Sequence, residues 1–186
     1  MPGSWLLSVT LAGWALLELC VRVRESVHGR GRTGHDRFTR VLIAITIGGA
    51  IALAVNVAQA RSPAVADPAR AAGLAITWVG LAIRVWAIVA LGQAFRTTVE
   101  VEPGQAVVET GPYARIRHAS YAGLLLILAG LGFALGEWRS LAICILLPTP
   151  ALLLRISVEE AELTRVLGDT YRRYQRHTKR LIPGLW

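Results

Sequence analysis

Cysteine, lysine, acidic residues and long polar runs are all scarce in this 186-residue chain. The two cysteines, Cys20 and Cys144, lie in apolar runs with no CxxC or Cys/His cluster beside them. Neither a zinc site nor a disulfide framework is indicated, and no metal is expected. Twelve acidic residues face twenty basic ones, giving a formal net charge of +8 and a pI near 10.7. The basic residues, nineteen of them arginine, separate apolar stretches and form no patch interleaved with aromatics, so nucleic acid is not the expected partner. Only 17% of residues are charged against 54% hydrophobic, and the mean hydropathy of +0.48 excludes intrinsic disorder.

What the chain does have is apolar runs. Trp5 to Val21 contains one charge, Glu18; Val41 to Ala58 contains none; Leu74 to Leu91 contains only Arg84. Each approaches the roughly 20 residues needed to cross a bilayer. Tyr121 to Leu135 and Leu141 to Leu154 are shorter and are joined by the polar Gly136-Glu137-Trp138-Arg139-Ser140. That pattern predicts a helical hairpin whose return arm is bent by Pro148 and Pro150. The fold class expected is therefore an all-α integral membrane protein of about five transmembrane helices with a C-terminal cytoplasmic helical segment. The opening run lacks the basic n-region and Ala-x-Ala site of a signal peptide and is taken as mature structure. One domain, 1–186, is expected, with two helices and their loops in 1–73 and a catalytic half in 74–186.

Orientation follows from the cationic residues between spans. Residues 22–40, 92–120 and 155–186 carry sixteen Lys and Arg, whereas the N-terminus, 59–73 and 136–140 carry three. This places the N-terminus outside, and the C-terminus and the long connections in the cytoplasm. The 59–73 connection reads as a plain external loop. The 92–117 connection exceeds the roughly 12–15 residues usual for an unstructured loop and carries turn signals at Glu102-Pro103-Gly104 and Thr110-Gly111-Pro112, so an ordered functional segment is expected.

Gly29-Arg30-Gly31-Arg32-Thr33-Gly34 fits GxGxxG in letters, but it lies in an Arg-rich loop between membrane spans rather than in a strand-turn-helix unit, and is set aside. Glu18 and Arg84 are costly in hydrocarbon; both fall in the inner half of the bilayer, Arg84 about 12 Å of helix rise from Gly92. They are within reach of pairing with each other, and a role for Arg84 in a substrate pocket is the alternative.

The densest polar chemistry is Thr110 to Tyr121. A helix beginning near Ile116 places His118 and Tyr121 on one face at the membrane surface. A second cluster, Arg155-Ile156-Ser157-Val158-Glu159-Glu160-Ala161-Glu162, leaves the membrane on the same side, and Arg155 and Glu159 are one helical turn apart. A pocket and simple interfacial anchoring both fit the first cluster; ion pairing and solvation both fit the second. After Glu162, Leu163, Val166, Leu167 and Tyr171 interleave with Arg165, Arg172, Arg173 and Arg176, a pattern that suits a lid over the first two clusters or a helix on the inner leaflet.

Taken in order, Leu91-Gly92-Gln93-Ala94-Phe95, Thr110-Gly111-Pro112-Tyr113, Arg117-His118-x-Ser120-Tyr121, Arg155-x-x-x-Glu159-Glu160 and Gly168-x-x-Tyr171-x-x-Tyr174 up to Pro183 resemble the isoprenylcysteine carboxyl methyltransferase family, which is related to phospholipid N-methyltransferases. The resemblance covers about residues 74–186. It implies an S-adenosylmethionine-dependent membrane enzyme with its cofactor in a cytoplasmic pocket and a lipophilic or prenylated substrate reaching it from the membrane lipids. It assigns cofactor contacts to Gln105, Val107, Val108, Tyr113, His118, Ala119, Ser120, Tyr121, Glu159 and Glu160, and the catalytic, substrate-side role to Arg155. Two positions depart from the family: Gln105 stands where the eukaryotic enzymes have histidine, and Ala119 where proline is usual, which loosens the backbone there.

The residue types suit that chemistry. A carboxylate acceptor is already ionised at pH 7 and needs no general base. Arg155 orients it through two hydrogen bonds, while Glu159 and Glu160 suit the hydroxyl or amine groups of the cofactor. An amine acceptor reverses the logic, because arginine repels ammonium and a base such as His118 is required. O-methylation of a lipophilic carboxylate leads; N-methylation of a phospholipid amine and a non-catalytic binding or transport subunit are the alternatives.

Overall fold

The computed structural model of the chain describes residues 9–20, 34–61, 67–92 and 106–186, and among these the regular elements are helices. Helix α1 spans Val9–Cys20, α2 Gly34–Arg61 and α3 Asp67–Leu91. A 3-10 turn at Gly111–Ala114 leads to α4, Ala119–Ala134. Then follow α5, Trp138–Leu146, α6, Thr149–Leu167, and α7, Asp169–His177. Among the described residues three stretches are long and apolar enough to cross a membrane: Phe38–Ala60, Pro68–Leu91 and the α5–α6 rod Trp138–Leu167. This is an all-α integral membrane protein. Helix α4 has 16 residues, a rise of about 24 Å against the roughly 30 Å of hydrocarbon in a bilayer.

Several boundaries differ from those expected. Helix α2 runs on to Arg61 and α3 begins at Asp67, so the 59–73 loop shrinks to its middle; Pro68 sits in the first turn of α3, where its missing N–H costs nothing. The return arm of the hairpin is not a short Leu141–Leu154 span. It begins at Trp138, where Glu137 caps it by accepting from the Arg139 amide. It breaks at Leu147-Pro148, as the proline predicts, and continues past Arg155 to Leu167. The helix tolerates the charges beyond Leu154 because Arg155 and Glu160 are buried in polar contacts with neighbouring segments. The second cluster thus belongs to a membrane helix rather than following one. Of the GxGxxG string, only Gly34, the first residue of α2, is described; Gly29 to Thr33 lie outside the described residues, as do Gln93 to Gln105.

Helix α3 packs chiefly on α4, and the approach is close because both present glycine. A Cβ at Gly80 would lie 2.7 Å from the Ile127 amide and 2.8 Å from the Gly123 carbonyl; one at Gly123 would lie 2.8 Å from the Gly80 carbonyl. Gly73 and Gly130 repeat the arrangement seven residues away on each helix. Lipid-embedded helices gain little from burying apolar surface against one another, so backbone proximity of this kind supplies dispersion contacts instead. Around this seam Trp14, Ala54, Leu81, Ile127, Leu128, Cys144 and Leu152 form one buried cluster drawn from α1 to α6. The Ser140 hydroxyl donates to the Ala54 carbonyl at 2.8 Å, locking α5 to α2.

Candidate active site

The site begins at the N-terminal end of α4. The chain enters it through the 3-10 turn, which Gly111 opens with φ +61° and Pro112 stiffens. It does not become helical at Ile116, as spacing suggested, because Ile116 pairs in parallel with Lys179. The Arg117 amide donates to the Lys179 carbonyl at 2.7 Å, the His118 amide to the Arg180 carbonyl at 3.0 Å, and the Lys179 amide to the Arg115 carbonyl at 3.0 Å. Helix α4 therefore starts at Ala119 with His118 as its N-cap residue. This ladder holds the backbone leading into Ala119, and Ala119 is itself wholly buried against Ala87 and Tyr113.

Four side chains meet between α4, α6 and α2. The Tyr121 hydroxyl donates to Glu159 Oε2 at 3.0 Å and accepts from Arg155 Nε at 3.5 Å. Arg155, 2% exposed, also donates from Nη1 to the Thr39 hydroxyl on α2 at 2.8 Å. The His118 ring stacks on Tyr121 with centroids 5.8 Å apart, so the expected shared face is realised even though the helix begins later.

Glu160 forms a second node, next in sequence to the first. Its Oε1 accepts from Arg117 Nε at 2.9 Å and lies 3.1 Å from His118 Nε2. Its Oε2 accepts from Arg180 at 3.0 Å. One buried carboxylate thereby ties α6 to the start of α4 and to the C-terminal segment. Arg117 Nη1 adds bonds to the carbonyls of Gln175 and Thr178. Both Glu160 oxygens are committed to these partners, whereas Glu159 accepts, among the described residues, from Tyr121.

Helix α7 closes against this node. Gly168, at φ +54°, turns the chain out of α6. Tyr171 and Tyr174 are then buried, while Arg172, Arg173 and Arg176 face outward. The Tyr174 hydroxyl donates to the Tyr113 carbonyl at 2.8 Å, so α7 is fastened to the 3-10 turn. Burial pushes the phenols of Tyr113, Tyr171 and Tyr174 well above their ordinary range. The negative field of Glu159 adds to this at Tyr113, and those of Glu160 and Glu159 add at Tyr171. Arg84 works the other way at Tyr113 and Arg117 at Tyr171.

Of the residues expected from sequence, Tyr113, His118, Ala119, Ser120, Tyr121, Arg155, Glu159 and Glu160 gather around the start of α4 and the middle of α6. Val108 packs on the Ala87, Tyr113 and Ala119 cluster, Val107 precedes it and is half-buried, and Gln105 lies outside the described residues. Ser120 points to α3: its hydroxyl and its carbonyl accept from Arg84 Nη1 at 2.9 and 3.1 Å. Sequence reasoning gave no role to Thr39, Arg117 or Arg180. The last two belong to the quoted motif and the segment leading to Pro183; Thr39 carries no local signal.

The donor set fits S-adenosylmethionine: a carboxylate with accepting capacity for ammonium or hydroxyl groups at Glu159, and phenol and imidazole rings beside it at Tyr113, Tyr121 and His118.

Comparison with known proteins agrees with this reading of the fold. The chain is 31% identical over 107 residues to a Protein-S-isoprenylcysteine O-methyltransferase of Schizosaccharomyces pombe (strain 972 / ATCC 24843), covering 50% of this chain and 45% of that protein. It superposes on the structure of the eukaryotic intramembrane Ras methyltransferase ICMT (isoprenylcysteine carboxyl methyltransferase) with a TM-score of 0.59 and 28% identity, covering 63% of this chain and 43% of the other. The chain thus spans less than half the length of either. The sequence profile of the isoprenylcysteine carboxyl methyltransferase (ICMT) family matches residues 73–165, a stretch that holds the α3–α4 seam, the 3-10 turn, Tyr121, Arg155 and both glutamates, and the protein belongs to that family.

Proposed function

We propose that the protein transfers a methyl group from S-adenosylmethionine to the carboxylate of a lipophilic, prenylcysteine-like acceptor at the cytoplasmic face of the membrane. The observation that carries this reading is the junction of Arg155, Tyr121 and Glu159, which sets a guanidinium and a carboxylate on one phenolic oxygen near the start of α4. The cofactor, when bound, supplies an electrophilic methyl group on a sulfonium. Glu159, with Tyr113, His118 and Tyr121, would hold the cofactor; Val108 and Ala119 pack against Tyr113, and Gln105, Val107 and Ser120 are assigned to the cofactor by resemblance alone. Glu160 keeps His118 in place. Arg155 binds the acceptor carboxylate and aligns it with the methyl group, so positioning does most of the work and no base is needed. On this reading residues 74–186 are the catalytic half of a single membrane domain of about five crossings. The sixteen-to-three asymmetry of cationic residues supports an external N-terminus and a cytoplasmic C-terminus.

The buried guanidinium of Arg155 disfavours an ammonium acceptor, which weighs against phospholipid N-methylation. The test is to incubate the purified chain with labelled S-adenosylmethionine and a prenylated N-acetylcysteine, then treat the product with base. Base-labile label and saturable heat on titration with S-adenosylhomocysteine are expected. Base-stable label would establish N-methylation, and absence of both heat and label would leave a non-catalytic membrane module. Arg155→Ala should abolish transfer while S-adenosylhomocysteine still binds.

A further inference from the structure

Arg84 is the single charge within the apolar stretch of α3 and is 6% exposed. Its Nε and Nη2 donate to the two oxygens of Glu18 on α1 at 2.7 and 3.0 Å. Glu18 also accepts from Trp14 Nε1 at 3.1 Å. As a device for stability alone this pair is poorly chosen, since two charges removed from water recover little over an apolar contact of the same volume. The third side of the guanidinium gives it another use. Nη1 donates to both the hydroxyl and the carbonyl of Ser120. Ser120 is the second residue of α4, adjacent to Tyr121 and two residues from His118, and lies in the turn whose Tyr121 and Ala122 amides close on the His118 carbonyl.

We infer that Arg84, held by Glu18, is a positioning residue for methyl transfer: it fixes the first turn of α4 and with it the Tyr121 hydroxyl that joins Arg155 to Glu159. The inference rests on the function proposed above. It brings α1, which lies outside the 73–165 family match, into the working of the site, since the carboxylate that aims Arg84 comes from there. A planar fork is required. Two donors must grip one carboxylate while a third reaches a carbonyl on another helix, which a lysine cannot do.

The experiment uses the full chain in lipid nanodiscs and compares Arg84→Lys, the singles Glu18→Arg and Arg84→Glu, and the reversed pair E18R/R84E. The reversed pair restores an α1–α3 ion pair but places an acceptor where the Ser120 carbonyl needs a donor, so the bond to the α4 backbone is lost even if the hydroxyl turns to donate. Expected is recovery of the thermal midpoint in the reversed pair relative to either single, with kcat still lowered about tenfold or more and KM changed far less. Amide exchange at Tyr121 and Ala122 should be about tenfold faster in the reversed pair and in Arg84→Lys, with exchange in α5 unchanged. Recovery of kcat and of amide protection together with the midpoint would reduce the pair to a structural tie and overturn the inference. If the reversed pair does not fold, Arg84→Lys decides, and wild-type kcat or wild-type protection at Tyr121 overturns it. Exchange does not depend on turnover, so a wild-type chain that transfers no methyl group would remove the proposed function and leave this readout of α4 still decisive.

Discussion

Tyr121 and Glu159, 38 residues apart in sequence, share a 3.0 Å hydrogen bond that fastens α4 to α6 at the level of Arg155. The same oxygen receives Arg155 Nε, so the phenol spaces the cation from the carboxylate. Tyr121→Phe removes both bonds and leaves the ring stacked on His118. Bonds to charged groups contribute about 1.5–3 kcal/mol, so kcat/KM should fall roughly ten- to a hundredfold while the fold persists. Steady-state kinetics beside a thermal melt checks this; unchanged kcat/KM would show that the junction is not used.

Glu160 compensates Arg117 and Arg180 at once and lies within hydrogen-bond reach of the His118 ring. Glu160→Gln keeps the shape and deletes the charge, leaving arginine uncompensated in a buried setting, a loss of about 3–5 kcal/mol. The Arg180 side chain is 40% exposed, so Arg180→Gln should cost far less. Thermal unfolding in detergent distinguishes the two, and equal losses would contradict the central place given to Glu160.

The glycine seam makes a sharper contrast. Gly80→Ala or Gly123→Ala drives a methyl group into backbone atoms under 3 Å away and should cost at least about 1–3 kcal/mol. Gly48→Ala on α2 meets nothing within 4 Å and should be neutral or slightly stabilising. If all three variants melt alike, the α3–α4 contact is looser than described.

Alkaline pH should weaken the structure through Tyr113, Tyr171 and Tyr174. Phenols in the unfolded chain ionise near pH 10, whereas burial holds these three neutral beyond that. Above pH 10 the native state therefore keeps protons that the unfolded state loses, and the free energy of unfolding falls as pH rises, by up to about 1.4 kcal/mol per unit for each phenol. Below pH 10 this contribution is fully present and constant. Unfolding measured from pH 9 to 11.5 should show the decline, and Tyr174→Phe should make it shallower; an identical slope in the variant would exclude Tyr174.

Much of this site could be read from the chain because its signals are local. His118 and Tyr121 are three apart, Arg155 and Glu159 four apart, and a helix brings each pair onto one face whatever the rest of the fold does. Glu18 and Arg84 were legible for another reason: lone charges in apolar spans must find partners. Glu160 was not legible as a node, since Arg117 lies 43 residues away and Arg180 lies 20 away, and only the folded chain brings them to one carboxylate. The late start of α4 was hidden in the same way, because it depends on pairing with Lys179 and Arg180. The continuation of α6 past Leu154 was missed because hydropathy alone marks where apolar residues stop, and polar side chains sheltered by neighbours extend a helix beyond that point.

The pairing of residues 115–118 with 179–180 also fixes the timetable of assembly. Helices α1 to α6 precede Lys179 and Arg180 in the chain, so the start of α4 can first be held by Arg84 and by packing on Ala87, and gains its ladder to Lys179 and Arg180 last. The candidate site is therefore completed after the helices that carry it, when residues 179–180 fold back onto the start of α4.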